Sequence, residues 1–310
     1  VRIALTPNER IDPEASRLWL EAKSMEQFTH AHPLRDEVSR RLIEHLQAMI
    51  LNPKDWMAWR PLSGGSTSMR ELSLRFPKSR SHFWQESPLA RHAVLKAQKP
   101  QSLWQWGKRF LSLSHSSQAQ PLLDFTPGSM DLIWSHLGLH NEFDPIEVIK
   151  TWARLLRPQG VAVFSCWGPD TLKELRSLYA NLGWPQAMHP LVDMHDWGDL
   201  LVQNGLSDPV MDMEYVSLTY DKVDVLLSDL RFLGRNLNPA RLGSLRSSSW
   251  LKVLRVALEQ ERLKAGGRLT LSFEIIYGHA FKASPKAVMG KEVQVSLHDM
   301  KAQLKNRPAR

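Results

Sequence analysis

The stretch Pro61-Leu62-Ser63-Gly64-Gly65-Ser66-Thr67 is the first place in this chain where residue types and spacing suggest chemistry. A short apolar run, Trp56 to Trp59, precedes it. A helical pattern from Met69 to Phe76 follows, stopped by Pro77. Strand, glycine-containing loop and helix in that order open a nucleotide-binding α/β sheet. His136 and His140 are four apart, a spacing that shares a metal ion on a helix. Here they fall on a strand and its exit, with no Cys or carboxylate pair nearby, so no metal is expected. Cys166 ends a core strand and reads as a small buried hydrophobe rather than a nucleophile. Trp104 and Trp106 stand beside Lys108 and Arg109. Aromatic and basic side chains together can stack on nucleic acid, but the modest charge of the chain body favours packing, and no nucleic-acid partner is expected.

These residues need a scaffold, and the periodicity supplies one. Leu34, Val38, Leu42 and Leu46 recur at helical spacing, and Asn52-Pro53 ends that element. Ser81 to Gln85 reads as a brief strand and Pro88 to Lys99 as a helix. Met130 to Leu137 is a buried strand, Asp144 to Leu156 an amphipathic helix, and Val161 to Trp167 a second buried strand after the turn Arg157-Pro158-Gln159-Gly160. Alternation at this rhythm predicts a doubly wound sheet with parallel strands. Beyond it, Thr171 to Leu182 reads as a helix opened by a Thr171/Glu174 capping box. A short helix from His195 to Asn204 is closed by Gly205. Val210 to Thr219 and Leu269 to Tyr277 alternate as strands, with helices Asp221 to Phe232 and Trp250 to Leu263 between them. Residues 1–25 show no obvious element.

The 310 residues are 43% hydrophobic and 23% charged, which suits a chain that buries a core and excludes disorder throughout. No apolar run reaches the roughly 18–20 residues of a membrane span, so no membrane association is expected. One cysteine cannot form an internal disulfide, which fits a reducing cytoplasm. Of the net charge of +8, most lies in residues 282–310, which hold seven basic and two acidic side chains. Such a tail reads as solvated, with an acidic protein as the partner it would suit.

With the segments LLRPQG and VAVFSCWGPDTLKELR, the region from Met130 to Arg176 resembles class I S-adenosylmethionine-dependent methyltransferases. More narrowly it resembles the malonyl-[acyl-carrier protein] O-methyltransferase branch of biotin synthesis. His189 to Tyr220 and FEIIYGHAFK (Phe273 to Lys282) are similar to the same branch, and to its mitochondrial relative, a complex I assembly factor. The resemblance spans about residues 33–282. It implies a Rossmann-like sheet of seven strands with a helical insertion (221–266) before the last one. A polar segment (1–32) and a basic tail (283–310) flank that domain. It also implies adenosylmethionine as cofactor and an acyl carrier protein as partner.

The family's cofactor loop has the pattern D-x-G-x-G-x-G. Counting back from Phe76-Pro77, its acid falls on Arg60 and its glycines on Leu62, Gly64 and Ser66, with Gly65 adjacent. The ribose-binding acid falls on Gln85, and the acid facing adenine on Ser116. Ser135 and His136, leaving the strand that borders the methyl donor, would line the pocket. His189 and His195 would frame its mouth. Three acids are thus replaced by Arg, Gln and Ser, and a cation stands where the donor's ammonium would sit. The expectation is a methyltransferase-like protein with weakened or lost donor binding; the alternative is a non-catalytic relative acting as a partner-binding or assembly factor. Were the acceptor a malonyl thioester, its free carboxylate would need a cation, and Arg231, Arg235 and Arg241 of the insertion are the natural clamp.

Overall fold

A computed structural model describes residues 11–22, 32–85, 91, 92, 94, 118, 119, 125–241 and 247–284. Its centre is a mixed sheet built on six strands: β1 (Asp55–Trp59), β2 (Arg80–Trp84), β4 (Met130–His136), β5 (Leu156–Trp167), β6 (Leu206–Tyr220) and β7 (Leu269–Lys282). A two-residue stub, β3 (Gln118–Ala119), extends the edge beside β2, so the seven full strands that the family resemblance implies are not seen among the described residues. The order is β3-β2-β1-β4-β5-β7-β6. Strands β1, β2, β4 and β5 pair in parallel, and β7 runs antiparallel to both β5 and β6.

The two faces of β1 show why its sequence makes a central strand. Trp56 and Ala58 enter one core, with Leu34, Leu42 and Phe83, while Met57 and Trp59 enter the other, with Ile149, Trp152 and Phe164. A strand buried on both faces reads as a continuous apolar run. Helices α2 (Pro33–Gln47) and α4 (Ser66–Arg75) cover the first face. Helices α5 (Pro145–Leu155) and α7 (Met194–Gln203) cover the second. Asp144 caps α5 by accepting from Glu147 N at 3.0 Å, and Pro145 fills its first turn, where no N–H is needed.

Several local expectations give way to tertiary contacts. The polar N-terminal segment contains a helix, α1 (Pro13–Ala22), whose start is capped by Asp12 accepting from Glu14 N and Ala15 N. The loop after β1 is tighter than its glycines suggest, since Pro61–Gly64 forms a helical turn, α3. No capping box forms at Thr171/Glu174. Helix α6 (Lys173–Asn181) begins later, and the two side chains bind β7 instead: Thr171 Oγ1 donates to Glu274 O, and Glu174 accepts from Ser272 N and Oγ. Asp221 does not cap α8 (Val223–Leu233) but pairs with Arg268. Residues 157–160 loop out of the β4–β5 ladder as expected, with Gln159 at φ 66°. Helices α8 and α9 (Ser248–Lys264) connect β6 to β7. The expected helix from Pro88 to Lys99, Trp104, Trp106 and the basic tail lie largely or wholly outside the described residues.

Candidate functional site

At the carboxyl end of β1 the chain turns sharply. Arg60 adopts a left-handed φ of 47° and its N–H donates to Trp84 O at the end of β2. Its guanidinium is only 6% exposed. Nη2 lies 2.6 Å from Glu142 Oε2, and the group sits over the Trp84 ring, 5.3 Å from its centre. Glu142 also accepts from Trp59 Nε1 at 2.8 Å, and Trp59 stacks on Trp84 at 4.2 Å. A charged pair removed from water this completely holds only with good geometry and further hydrogen bonds, and Trp59 Nε1 supplies one to the carboxylate. Glu142 follows the short 3-10 turn Leu139–Asn141 after β4. Nothing in its local sequence signals this role, because its partner is brought to it across the sheet.

The other loop positions are packed. Leu62 is buried in the core, and α3 is buried along its whole length. A Cβ placed on Gly64 would lie 2.2 Å from His136 Cδ2, so this glycine is required by the imidazole against it. Gly65, at φ 86°, takes a backbone conformation that favours glycine. Ser66 starts α4 and is half-buried.

His136 sits at the end of β4. Its Nε2 faces Arg35 O at 3.0 Å and its Nδ1 faces Ser165 Oγ at 2.8 Å. A carbonyl only accepts, so Nε2 carries the proton and Ser165 donates to Nδ1. Burial pushes the imidazole down to about 3, so it is neutral at ordinary pH. Ser135 is fully buried with no partner for Oγ. Gln85, just past β2, is 1% exposed with no partner for either amide atom. Ser116 lies outside the described residues. The structure therefore brings Arg60, Gly64, Gln85 and His136 to one end of the parallel strands. Leu62 faces the core instead.

A cavity of about 590 Å³ opens between the segment after β5 and the helices α8 and α9. Arg231, Arg235 and Arg241 all line it, with His140 and His189. The three arginines are not equivalent. Arg241 Nη1 pairs with Asp12 at 2.6 Å, and Arg235 donates to the carbonyls at the end of α8 and lies over Trp19 of α1. The guanidinium of Arg231 makes no ion pair or hydrogen bond among the described residues. Sequence reading did not anticipate the role of α1, because Asp12 and Arg241 are far apart along the chain. Arg35, 3% exposed, donates to Phe232 O and stacks on its ring, which ties α2 to α8 beside the cavity. His189 is buried, donates to His140 O and is held down to about 4 by burial. His195 is exposed beside Asp193 and does not line the cavity. Burial pushes the Cys166 thiol well above its ordinary range, so it holds no thiolate. No helix among the described residues is long and apolar enough to cross a membrane.

A family profile described as a methyltransferase domain matches residues 91–164. The malonyl-[acyl-carrier protein] O-methyltransferase of Gallionella capsiferriformans is 32% identical over 286 residues, covering 89% of this chain and 93% of that protein. The enzyme of the same name from Halorhodospira halophila is 29% identical over 88% of this chain and 89% of its own length. That from Nitrosospira multiformis reaches 40% identity over 54% of this chain and 53% of its own. Among solved structures, a putative methyltransferase from Bacillus halodurans superposes with a TM-score of 0.50 at 11% identity, covering 79% of this chain and 99% of that one, a likeness of fold. On this sequence similarity along nearly the whole chain, with the α/β sheet and its antiparallel end, the protein belongs to the malonyl-[acyl-carrier protein] O-methyltransferase family of class I S-adenosylmethionine-dependent methyltransferases.

Proposed function

We propose that this chain retains the family's acceptor-binding half, for an acyl thioester that carries a free carboxylate, while its hold on adenosylmethionine is weakened or lost. A malonyl group on an acyl carrier protein is the acceptor that the relatives' names suggest. The observation that carries the reading is the buried Arg60–Glu142 pair at the end of β1.

A class I donor site needs an acid for the donor's ammonium and open backbone beside it. Here the aligned position holds a guanidinium already neutralised by Glu142. The loop that would leave room is a buried helical turn, with Gly64 closed against His136. These residues do not fit a cationic amino-acid moiety. Gln85 does fit part of the ligand, because its unpartnered amide could accept from a ribose hydroxyl. One surviving contact among several lost ones predicts binding weaker by roughly two to four decades, at about 1.5–3 kcal/mol for each charge-assisted hydrogen bond. Without a held donor, the same fold acts as a binding protein for an acylated carrier. An acidic carrier would suit the basic C-terminal residues.

Calorimetric titration with adenosylmethionine tests this directly. The expected result is no saturable binding in the micromolar range for the natural chain. Partial recovery is expected when Arg60→Asp and Leu62→Gly are combined with Glu142→Gln. The third change is needed because Arg60→Asp alone would place two carboxylates side by side. Micromolar binding to the unaltered chain, or methylation of a malonyl thioester at an ordinary rate, would overturn the loss.

A further inference from the structure

The cavity between the β5 exit and the α8–α9 helices has a composition at odds with a three-carbon diacid. Its volume of about 590 Å³ falls within the range of roughly 300–1,000 Å³ that encloses a drug-sized ligand, several times what a malonyl group fills. Much of its wall is large and apolar, with Trp167, Leu175, Tyr179, Trp250, Leu254 and Phe273 among its residues. No Asp or Glu stands among the described lining residues. Two of the three lining arginines are committed elsewhere: Arg241 to Asp12, and Arg235 to the carbonyls that end α8. That leaves the Arg231 guanidinium to meet a ligand.

We propose that this cavity binds an amphipathic carboxylate, a medium-length alkyl or acyl chain seated on the apolar wall with one carboxylate on Arg231. The inference rests on the reading of this cavity as the acceptor site, and it replaces a short diacid with a longer chain. Burial of each methylene on an apolar wall is favourable, so an alkyl chain gains from this wall what a malonyl group cannot. The carboxylate gains a charge-assisted hydrogen bond at the mouth.

The test is a titration of the full chain, followed by tryptophan fluorescence, with dodecanoate, dodecanol, malonate and malonyl-pantetheine. No adenosylmethionine is present, so the result is independent of donor binding. Dodecanoate is expected to saturate at least tenfold more tightly than malonate. Arg231→Gln should weaken dodecanoate by about ten- to a hundredfold while changing dodecanol little. Lys252→Gln, exposed on α9 and outside the lining, is the control and should change neither. Both substitutions are at exposed positions, and circular dichroism confirms that each variant is folded. If malonyl-pantetheine saturates and dodecanoate does not, the long-chain inference is wrong and the short-acyl reading stands. If Arg231→Gln and Lys252→Gln behave alike, or if dodecanoate binds no better than malonate, the proposal also fails.

Discussion

Arg60→Met removes the cation from a pair whose side chains are 6% and 3% exposed. Glu142 then keeps its hydrogen bond from Trp59 Nε1 but loses this counter-charge while itself only 3% exposed. Breaking one side of a buried pair costs about 3–5 kcal/mol. Glu142→Gln leaves the guanidinium without its carboxylate and should cost an amount of the same order. The double variant Arg60→Met/Glu142→Gln carries no charge, and the new amide oxygen can still accept from Trp59. It should lie within about 1–2 kcal/mol of the natural chain, which makes the coupling energy at least about 4 kcal/mol. Urea unfolding of all four proteins, followed by tryptophan fluorescence and far-ultraviolet circular dichroism, gives the cycle. Moderate salt should change the coupling little, because buried pairs are poorly screened. Single variants that each cost under about 0.5 kcal/mol, with additive effects, would refute the reasoning. The guanidinium would then be solvated, and the argument that it closes the donor's place would fall with it.

Three further outcomes follow from the same geometry. Gly64→Ala should destabilise by about 1–3 kcal/mol through overpacking against His136, and His136→Ala should relieve most of that added cost. Equal losses in both backgrounds, read from urea midpoints, would show that the imidazole is not the obstacle. Acid should weaken the fold early. His136 is held neutral by burial at about 3, against 6.5 for a free imidazole, so its contribution is whole above pH 6.5 and is lost as pH falls toward 3. The slope is at most about 1.4 kcal/mol per pH unit for each proton. Asp55 is raised by burial but lowered more by hydrogen bonds from Arg80, His82 and Arg157, to about 2, so its share disappears only below about pH 4. His136→Gln should flatten the pH 6.5–4.5 slope of stability only in part, since His32, His189 and His279, also held low by burial, remain; an unchanged slope counts against a buried neutral His136. Finally, Cys166 should resist thiol reagents until the protein unfolds, and prompt labelling of native protein would contradict its burial.

The layout of the fold was legible because it depends on short-range patterns. Val161 to Trp167 and Met130 to Leu137 announce strands through continuous apolar runs, as parallel strands covered on both faces must. The helix from Leu34 onward announces itself through spacing. The reading failed where a polar side chain had a choice of partners. Thr171 and Glu174 stand at capping-box spacing, yet bind β7, because that strand brings a backbone N–H, a carbonyl and a hydroxyl within hydrogen-bond reach of them. The N-terminal polar segment conceals α1, whose Trp19 is buried with Ile11 and Leu237.

The chain's own residues were enough to place the loop after β1, to list Arg60, Gln85 and the three arginines of the insertion, and to point to the family, since residue type and spacing are properties of a string. Which of those groups face a partner was decided only by folding. Glu142 neutralises Arg60, and Asp12 holds Arg241, across separations that no local pattern records. Charge pairing depends on distance through space, which is set when the sheet and its helices close.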